Sequence, residues 1–163
     1  MINYKVIDNF LDKKEFLNIK NILESYNFPW YYQEIINDNH NINDLDCYFT
    51  HNIFTQENGR SQFYNVIIPI LNKLNIKSLI RIKCNIYPRT EKIRINKSHI
   101  DFDFEHKGAI FYINTNDGGT IIEGNKKIDS IENRILFFNP YILHSSTNTS
   151  NSKARININF NYF

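Results

Sequence analysis

In the first part of the chain, apolar residues recur every three or four positions, the spacing that places side chains on one face of an α-helix. Asp12 followed by Glu15 matches the start of a capping box, and we expect Pro29 to end this first helix. The apolar stripe that the helix is expected to bury consists of Phe16, Ile19, Leu23 and Tyr26.

A second helix is predicted over residues 62–75, with a kink or a late start at Pro69 because proline lacks the amide proton that a helix interior requires. Residues 30–36 and 47–54 have the composition of strands on either side of a polar loop, 37–46. The apolar side of the second helix would be formed by Phe63, Val66, Ile67, Ile70 and Leu74.

From Leu79 onward, apolar and polar positions alternate, which is the period of a β-strand. Further strands are predicted at 109–115, 134–139 and 155–162, and Asp117-Gly118-Gly119 predicts a hairpin turn with the return strand directly after it. In the strand that begins near Leu79, the apolar positions are Ile80, Ile82, Cys84 and Ile86, and the positions between them are Arg81, Lys83, Asn85 and Tyr87.

Helices followed by many short strands predict a mainly β protein with flanking helices, a β-sandwich or jelly roll with the N-terminal helices packed on one sheet. A length of 163 residues with 42% apolar residues suits one globular domain, in which 1–76 would support a core formed by 77–163. The net charge of +2 does not by itself indicate a nucleic-acid or membrane partner.

The two cysteines, Cys47 and Cys84, are too few for a disulfide framework and favour a reducing, cytoplasmic compartment. The N-terminal residues have no signal-peptide pattern, and no apolar run approaches the roughly 20 residues that span a membrane. We therefore expect no membrane association.

Three separated residues have the chemistry of a metal site. In a strand, residues two positions apart point to the same face, so His99 and Asp101 would both reach one ion. His144 follows a hydrophobic strand through a short turn that contains Pro140. Two imidazoles and one carboxylate are the set that holds ferrous iron on one face and leaves its other positions open.

Each of these residues could also have a structural role without a metal. His99 and Asp101 could be the polar face of an exposed strand, and Asp103 is a rival ligand, although it lies too far along the strand for easy chelation with His99. An exposed loop is the ordinary place for a histidine, and it is the expected one for His40, His51 and His106, none of which has an acidic residue two positions later.

Arg155 opens the last predicted strand, in which Arg155, Asn157, Asn159 and Asn161 share one face. If this face is internal, a buried guanidinium requires an anion beside it. If it is the solvent face, the arginine needs no partner. Alternation alone does not decide between the two faces.

The C-terminal half resembles the 2-oxoglutarate/Fe(II)-dependent oxygenases, and within them the prolyl-4-hydroxylase-like branch, which includes small viral members. The resemblance covers residues 79–163 well and residues 1–30 more loosely. The segments that carry it, in order, are Asn85-Ile86-Tyr87-Pro88, His99-Ile100-Asp101, Phe111-Tyr112-Ile113-Asn114-Thr115-Asn116, Gly118-Gly119-Thr120, Asn133-Arg134-Ile135-Leu136-Phe137-Phe138, His144 and Arg155-Ile156-Asn157-Ile158-Asn159-Phe160.

The resemblance implies a double-stranded β-helix and an Fe(II)- and 2-oxoglutarate-dependent dioxygenase that uses O2, with ascorbate as a supporting reductant. It implies His99, Asp101 and His144 as iron ligands. It further implies that the co-substrate 2-oxoglutarate is bound by Arg155, which would hold its distal carboxylate, together with Tyr112, Tyr87, Asn85 and Asn157. Asn157 departs from the pattern, because several relatives have a small hydroxyl residue there, and the loop between His144 and Arg155 looks long.

The branch favours a peptidyl substrate, with proline the first candidate residue for hydroxylation. Basic residues between Lys77 and Lys97 could instead rim the site and favour an acidic peptide or a nucleic acid, although a solvated surface is their ordinary role. The residues also leave open an oxygenase acting on a small molecule, a jelly-roll binding module without iron, and a cupin-like metalloenzyme that uses no keto acid. Phe28, Trp30, Tyr31 and Tyr32 could line a substrate groove but more often pack in a core.

Overall fold

The computed structural model describes residues 4–34 and 47–163, so the predicted polar loop 37–46 and His40 lie outside the described residues. The first helix, α1 (Lys13–Leu23), begins as the sequence predicts, because the Asp12 side chain accepts a hydrogen bond of 2.9 Å from the Glu15 amide. The helix ends at Leu23, before Pro29, and Tyr26 is fully exposed. The prediction that Tyr26 belongs to the buried stripe is therefore wrong, because the helical period has already ended there.

The predicted second helix is two shorter elements. A 3₁₀ turn covers Tyr64–Ile67, and α2 covers Ile68–Lys73. Pro69 lies in the first turn of α2, where its missing amide proton costs no hydrogen bond, so a late start explains its position. A second 3₁₀ turn covers Glu123–Asn125.

Short antiparallel strands are the main regular structure of the described chain, as the period-two pattern predicts. In chain order they are β1 (Lys5–Ile7), β2 (Tyr31–Gln33), β3 (Tyr48–Thr55), β4 (Gly59–Arg60), β5 (Leu79–Pro88), β6 (Lys107–Tyr112), β7 (Gly119–Ile122), β8 (Lys126–Asp129), β9 (Arg134–Phe138), β10 (Ser145–Ser146) and β11 (Ala154–Tyr162).

The large sheet has the strand order β1-β9-β6-β11-β5-β3-β2. The short strand β4 lies outside this order and pairs with the end of β3, at Phe54 and Thr55. Its outer face packs on the helices, where the ring of Phe16 from α1 meets the ring of Phe111 at 6.2 Å. Its inner face packs on the small sheet, whose order is β10-β7-β8. Two facing sheets with helices on the outer side are the predicted jelly-roll arrangement.

The last strand, β11, lies at the centre of the large sheet, and both of its faces are covered. Ile156, Ile158 and Phe160 belong to the core beneath the helices. Arg155 and the three asparagines that alternate with those apolar residues point inward, between the sheets, and are also buried. Neither face is the solvent side, which is why the alternation pattern could not identify the inner one.

The hairpin predicted at Asp117-Gly118-Gly119 is wrong. The strands on either side of it, β6 and β7, belong to different sheets and do not pair. The two glycines are needed because the chain passes close to other backbone segments. A Cβ atom on Gly118 would lie 2.2 Å from the Asn148 carbonyl oxygen, and one on Gly119 would lie 2.4 Å from the Ile128 carbonyl oxygen on β8. Within the described residues, no helix has the length and apolarity to cross a lipid bilayer.

Candidate metal centre and co-substrate pocket

His99 and His144 face each other across two antiparallel chain segments at the edge of the small sheet. Each backbone amide donates a hydrogen bond to the other residue's carbonyl, at 2.9 and 3.0 Å, and the imidazole ring centres lie 4.6 Å apart. His99 is in an isolated bridge, not in a regular strand, so the predicted strand through His99 and Asp101 is wrong in detail. The bridge to His144 and a second bond, from the Asp101 amide to the Pro140 carbonyl, hold the segment instead.

Asp101 completes a cluster of three possible metal ligands. One donor atom from each of His99, Asp101 and His144 lies within 4.8 Å of the others, close enough to share a single ion. The His99 Nε2 and Asp101 Oδ1 atoms are 3.9 Å apart. Asp103 is exposed and lies outside this cluster.

The positions of the ring nitrogens of the two histidines suit metal binding. The Nδ1 atom of His144 lies 2.9 Å from the Ile142 carbonyl, and that of His99 lies 3.5 Å from the Lys97 carbonyl. A proton on Nδ1 leaves the Nε2 lone pair free for an ion. Burial, and then the neighbouring His144, lowers the pKa of His99, which keeps its imidazole in the neutral form that binds metal.

The Asp101 carboxylate is held in its charged form by a network of donors. Arg81 Nη2 donates to Oδ1 at 3.0 Å, while Asn159 and Asn161 donate to Oδ2 at 3.2 and 2.9 Å. Burial acts to raise the pKa of Asp101, but the charge of Arg81 and these hydrogen bonds outweigh it and leave the pKa well below its usual range. A fixed anionic carboxylate beside two imidazoles fits a divalent iron site.

Arg155 lies in the same pocket and is completely buried. Its guanidinium donates to the Thr147 carbonyl at 3.0 Å and to the Thr120 hydroxyl at 3.1 Å, and its Nε atom has no hydrogen-bond partner in the part of the chain that the structure describes. Among the described residues it has no acidic partner. Because a buried charge without a counter-ion is costly, this arrangement fits an arginine that binds the carboxylate of a ligand.

The two predicted tyrosines border the guanidinium. The centre of the Arg155 guanidinium lies 5.2 Å from the ring centre of Tyr87 and 5.6 Å from that of Tyr112. The Tyr112 hydroxyl donates to Thr120 at 2.9 Å, so both groups converge on the same threonine oxygen. Burial raises the pKa of each tyrosine, which keeps both hydroxyls as hydrogen-bond donors.

Asn85 and Asn157 form the floor between the arginine and the metal cluster. They are paired across β5 and β11, and the Asn85 amide donates to the Asn157 Oδ1 atom at 2.9 Å. The Asn85 Oδ1 atom is buried and has no hydrogen-bond partner among residues 4–34 and 47–163. The structure therefore brings all the sequence-predicted site residues around one pocket, although Tyr112 reaches it through Thr120 and is not itself among the lining residues.

The pocket also contains residues that the sequence did not single out. The period-two pattern in β5 and β11 already placed Lys83, Arg81 and Asn159 on the same faces as Asn85 and Arg155, and that pattern was the available signal. The lining residues absent from the predicted set are Tyr48, Lys83, Ile110, Thr120, Ser146 and Asn159.

Two histidines expected in exposed loops are buried, so that expectation is wrong for both. His51 lies on β3, where its Nδ1 atom is 2.9 Å from the Pro29 carbonyl and its ring packs on Phe28 and Phe63. His106 packs beside the metal cluster, with its Nε2 atom 3.1 Å from the Asn161 amide nitrogen. Phe28 is buried in the core, whereas Tyr31 and Tyr32 are exposed.

The loop between His144 and Arg155 is anchored by a single carboxylate. The hydroxyl of Thr149 and the amide of Ser150 donate to Asp117 Oδ1 at 2.6 and 2.9 Å. Burial acts to raise the pKa of Asp117, but the hydrogen bonds from Ser150 and Thr149 outweigh it and hold the pKa below its usual range. The anchor explains how a long loop can deliver Arg155 to a fixed place.

We expect Asp117→Asn to lower the free energy of unfolding by about 2 kcal/mol at pH 7, because charged hydrogen bonds are lost. Since the pKa of Asp117 is depressed in the folded protein, its stabilisation is present above the unfolded pKa of about 3.9 and declines as the pH falls below it. Urea unfolding should therefore give a larger difference from the wild type at pH 7 than at pH 3, where part of the stabilisation remains because the folded-state pKa lies lower still. Asp129→Asn, at an exposed ion pair with Lys127, is the control and should change little. A deficit for Asp117→Asn that is equal at both pH values would contradict the anchor.

Comparison with known proteins places the fold. No protein-family model and no curated protein sequence matches the chain. Solved structures do match it over almost its whole length. An oxidoreductase of the 2-oxoglutarate/Fe(II) oxygenase family from Burkholderia pseudomallei superposes with a TM-score of 0.72 and 11% identity, over 98% of this chain and 84% of that one.

A prolyl hydroxylase from Trichoplax adhaerens, solved with a hypoxia-inducible-factor peptide fragment, gives a TM-score of 0.66 and 19% identity, over 98% of this chain and 83% of that one. HygX from Streptomyces hygroscopicus, solved with nickel, 2-oxoglutarate and hygromycin B, gives 0.62 and 9%, over 99% and 82%. The chain therefore has the double-stranded β-helix fold of the 2-oxoglutarate/Fe(II) oxygenases, and it resembles the prolyl-hydroxylase branch among others.

Proposed function

We propose that this protein is an Fe(II)- and 2-oxoglutarate-dependent dioxygenase that hydroxylates a peptidyl substrate. The observation that carries the proposal is that three metal-ligand side chains and a buried arginine without an acidic partner in the described chain converge on one pocket. A binding module would have no need for either feature, and a metalloenzyme without a keto acid would leave Arg155 with an uncompensated charge.

Each residue has a separate task in this proposal. His99, Asp101 and His144 would hold the iron, and Arg155 would bind the distal carboxylate of 2-oxoglutarate. The hydroxyls of Tyr87 and Thr120 line the arginine's side of the pocket and can donate to the same carboxylate. Asn85 and Asn157 also line the pocket, where the Asn85 side-chain NH2 group can contact the bound co-substrate.

Bound iron and 2-oxoglutarate supply the oxidising chemistry, in which O2 is consumed, 2-oxoglutarate is decarboxylated to succinate and a substrate C–H bond becomes an alcohol. The protein residues supply position and exclusion of water. Arg81, Asn159 and Asn161 fix the orientation of the Asp101 carboxylate, which would hold the metal through its remaining lone pairs. The described residues need contribute no general base to this reaction.

The direct test of the proposed function is succinate formation. The purified protein is incubated with Fe(II), ascorbate and 2-oxoglutarate, with and without a pool of proline-containing peptides, and succinate is quantified. We expect succinate in both mixtures and more of it with the peptides. Absence of succinate from both mixtures, in protein shown to bind Fe(II), would reject the proposal.

The surface beside the metal ligands supports a peptide as the substrate. The Trichoplax adhaerens prolyl hydroxylase was solved with a peptide bound, whereas HygX was solved with hygromycin B, so the fold alone does not fix the substrate. In this chain, exposed apolar residues directly adjoin the metal ligands: Ile100 lies between His99 and Asp101, and Leu143 precedes His144. An apolar surface beside the site suits contact with a peptide chain.

Gly118→Ala should weaken 2-oxoglutarate binding without altering any group that touches the ligand. The new methyl would lie 2.2 Å from the Asn148 carbonyl oxygen and 2.9 Å from the Arg155 Cδ atom, so the loop and the arginine would have to move. We expect a loss of about 1–3 kcal/mol in stability, typical of overpacking, together with a raised KM for 2-oxoglutarate.

The control is Gly59→Ala, where nothing lies within 4 Å but the φ angle is +69°. This substitution should lower the free energy of unfolding by about 1 kcal/mol, because alanine is strained at a positive φ angle. It should leave the KM for 2-oxoglutarate unchanged. Equal KM values for the two variants would show that the close approach at Gly118 does not position Arg155.

A further inference from the structure

Lys83 is an inward-facing cation that the proposed reaction does not use. It lies on β5 between Arg81 and Asn85, pairs across the sheet with Asn159, and lines the pocket with His99 and Asp101. Its ammonium nitrogen lies 5.8 Å from the ring centre of Tyr48. Within residues 4–34 and 47–163, this ammonium makes no hydrogen bond and no ion pair.

Burial lowers the pKa of Lys83 to about 8, with the charge of Arg81 acting in the same direction and Asp101 opposing it. Most of the population therefore remains protonated at neutral pH. A half-buried lysine that stays charged without a hydrogen-bonded partner is unfavourable in the free protein. A ligand that brings a negative charge next to it would remove this cost.

The other charges of the loaded pocket already have partners. Asp101 forms an ion pair with Arg81 and would bind the metal. Arg155 would bind the distal carboxylate of 2-oxoglutarate. The other end of that dianion would meet the metal cation. Lys83 is then a positive charge beside the metal with no anion assigned to it.

We propose that Lys83 binds an acidic side chain of a peptide substrate, placed next to the residue that is oxidised. This inference rests on the proposed function and names the class of its substrate. Charge complementarity identifies the group that Lys83 binds, and the exposed apolar residues Ile100, Ile142 and Leu143 beside the metal ligands suit the flanking parts of a peptide.

A nucleic-acid phosphate has the same charge but fits the surroundings less well. Readers of nucleic acid present a broad basic surface, whereas the net charge of this chain is +2. Exposed basic residues do occur in the loop after β5, at Lys92, Arg94 and Lys97. Apolar side chains, however, adjoin the metal ligands themselves.

The test uses the protein loaded with Ni(II) and 2-oxoglutarate and equilibrated with a mixed library of tetrapeptides, whose retained fraction is sequenced. We expect the wild type to enrich peptides containing Asp or Glu by about tenfold over their Asn and Gln counterparts, which corresponds to about 1.4 kcal/mol. Lys83→Met should lose this enrichment, Lys83→Glu should favour basic peptides, and Lys83→Arg should keep the acidic preference. Lys107→Met, at an exposed lysine, is the control and should behave as the wild type.

Retention of acidic and neutral peptides alike by the wild type, retention of no peptide, or an acidic preference that survives in Lys83→Met would overturn the inference. A parallel sample receives a single-stranded oligonucleotide. If the wild type binds it and Lys83→Met does not, the ligand of Lys83 is a nucleic acid and not a peptide. Succinate formation by the wild type without peptide is measured on the same preparation. Absence of succinate both from this sample and from one with the proline-containing peptides, in protein shown to bind Fe(II), would reject the dioxygenase. Succinate formation together with a library that shows no acidic preference would reject only the acidic substrate.

Discussion

Replacing His144 by alanine should reduce succinate formation from 2-oxoglutarate by more than about 100-fold. Changes to the outer partners of metal ligands typically cost 10–100-fold in metal affinity or activity, and loss of a ligand itself should exceed that. His144 also pairs through its backbone with His99, but alanine keeps both of those hydrogen bonds. We therefore expect the variant to fold and to fail in metal binding, measured by Fe(II) titration under anaerobic conditions.

The matched control is His51→Gln, at a buried histidine that packs among aromatic rings on the helix side of the large sheet. It should retain iron binding and succinate formation, whatever its effect on stability. Succinate formation by His144→Ala at a tenth or more of the wild-type rate would show that His144 is not an iron ligand.

Arg155→Met should raise the KM for 2-oxoglutarate by at least about 30-fold, since removing one partner of a buried charge pair costs about 2–5 kcal/mol. Iron binding should be little affected, because the guanidinium makes no contact with the three ligands. The free protein should be as stable as the wild type or more stable, because methionine has a similar length and removes a buried charge that lacks a counter-ion.

Two measurements separate this role from a structural one: the KM for 2-oxoglutarate and urea unfolding without ligand. Arg60→Met, at an exposed arginine on β4, should change neither by much. If Arg155→Met destabilised the free protein by several kcal/mol and left the KM unchanged, the arginine would be a structural residue held by Thr120 and Thr147.

The sequence was sufficient for the fold class because periodicity depends on local geometry. The helix after Asp12 and the strand after Leu79 follow the two periods, and the structure confirms both. The hairpin at Asp117 was wrong because a glycine pair permits either a tight turn or a close approach to another segment. Which of these occurs depends on Asn148, thirty residues later, which no local pattern describes.

The site residues were accessible for a different reason. The ordered set from His99 to Arg155 resembles a known family, and that resemblance supplied roles that spacing alone left open. Lys83, Asn159 and Thr120 were missed because their importance depends on register between β5, β11 and β7. The sequence also did not predict whether Arg155 is buried. Alternation shows that β11 has an apolar and a polar face, but not that both faces are covered.

We propose above all that His99, Asp101 and His144 bind one iron ion beside 2-oxoglutarate. A crystal structure of the protein grown anaerobically with Fe(II) and 2-oxoglutarate, with anomalous scattering recorded at the iron absorption edge, tests it directly. We predict a single anomalous peak at coordinating distance from His99 Nε2, His144 Nε2 and an Asp101 oxygen, with the co-substrate reaching from it to Arg155. A peak elsewhere, or none at these residues in iron-saturated protein, would show that His99, Asp101 and His144 do not form the iron site.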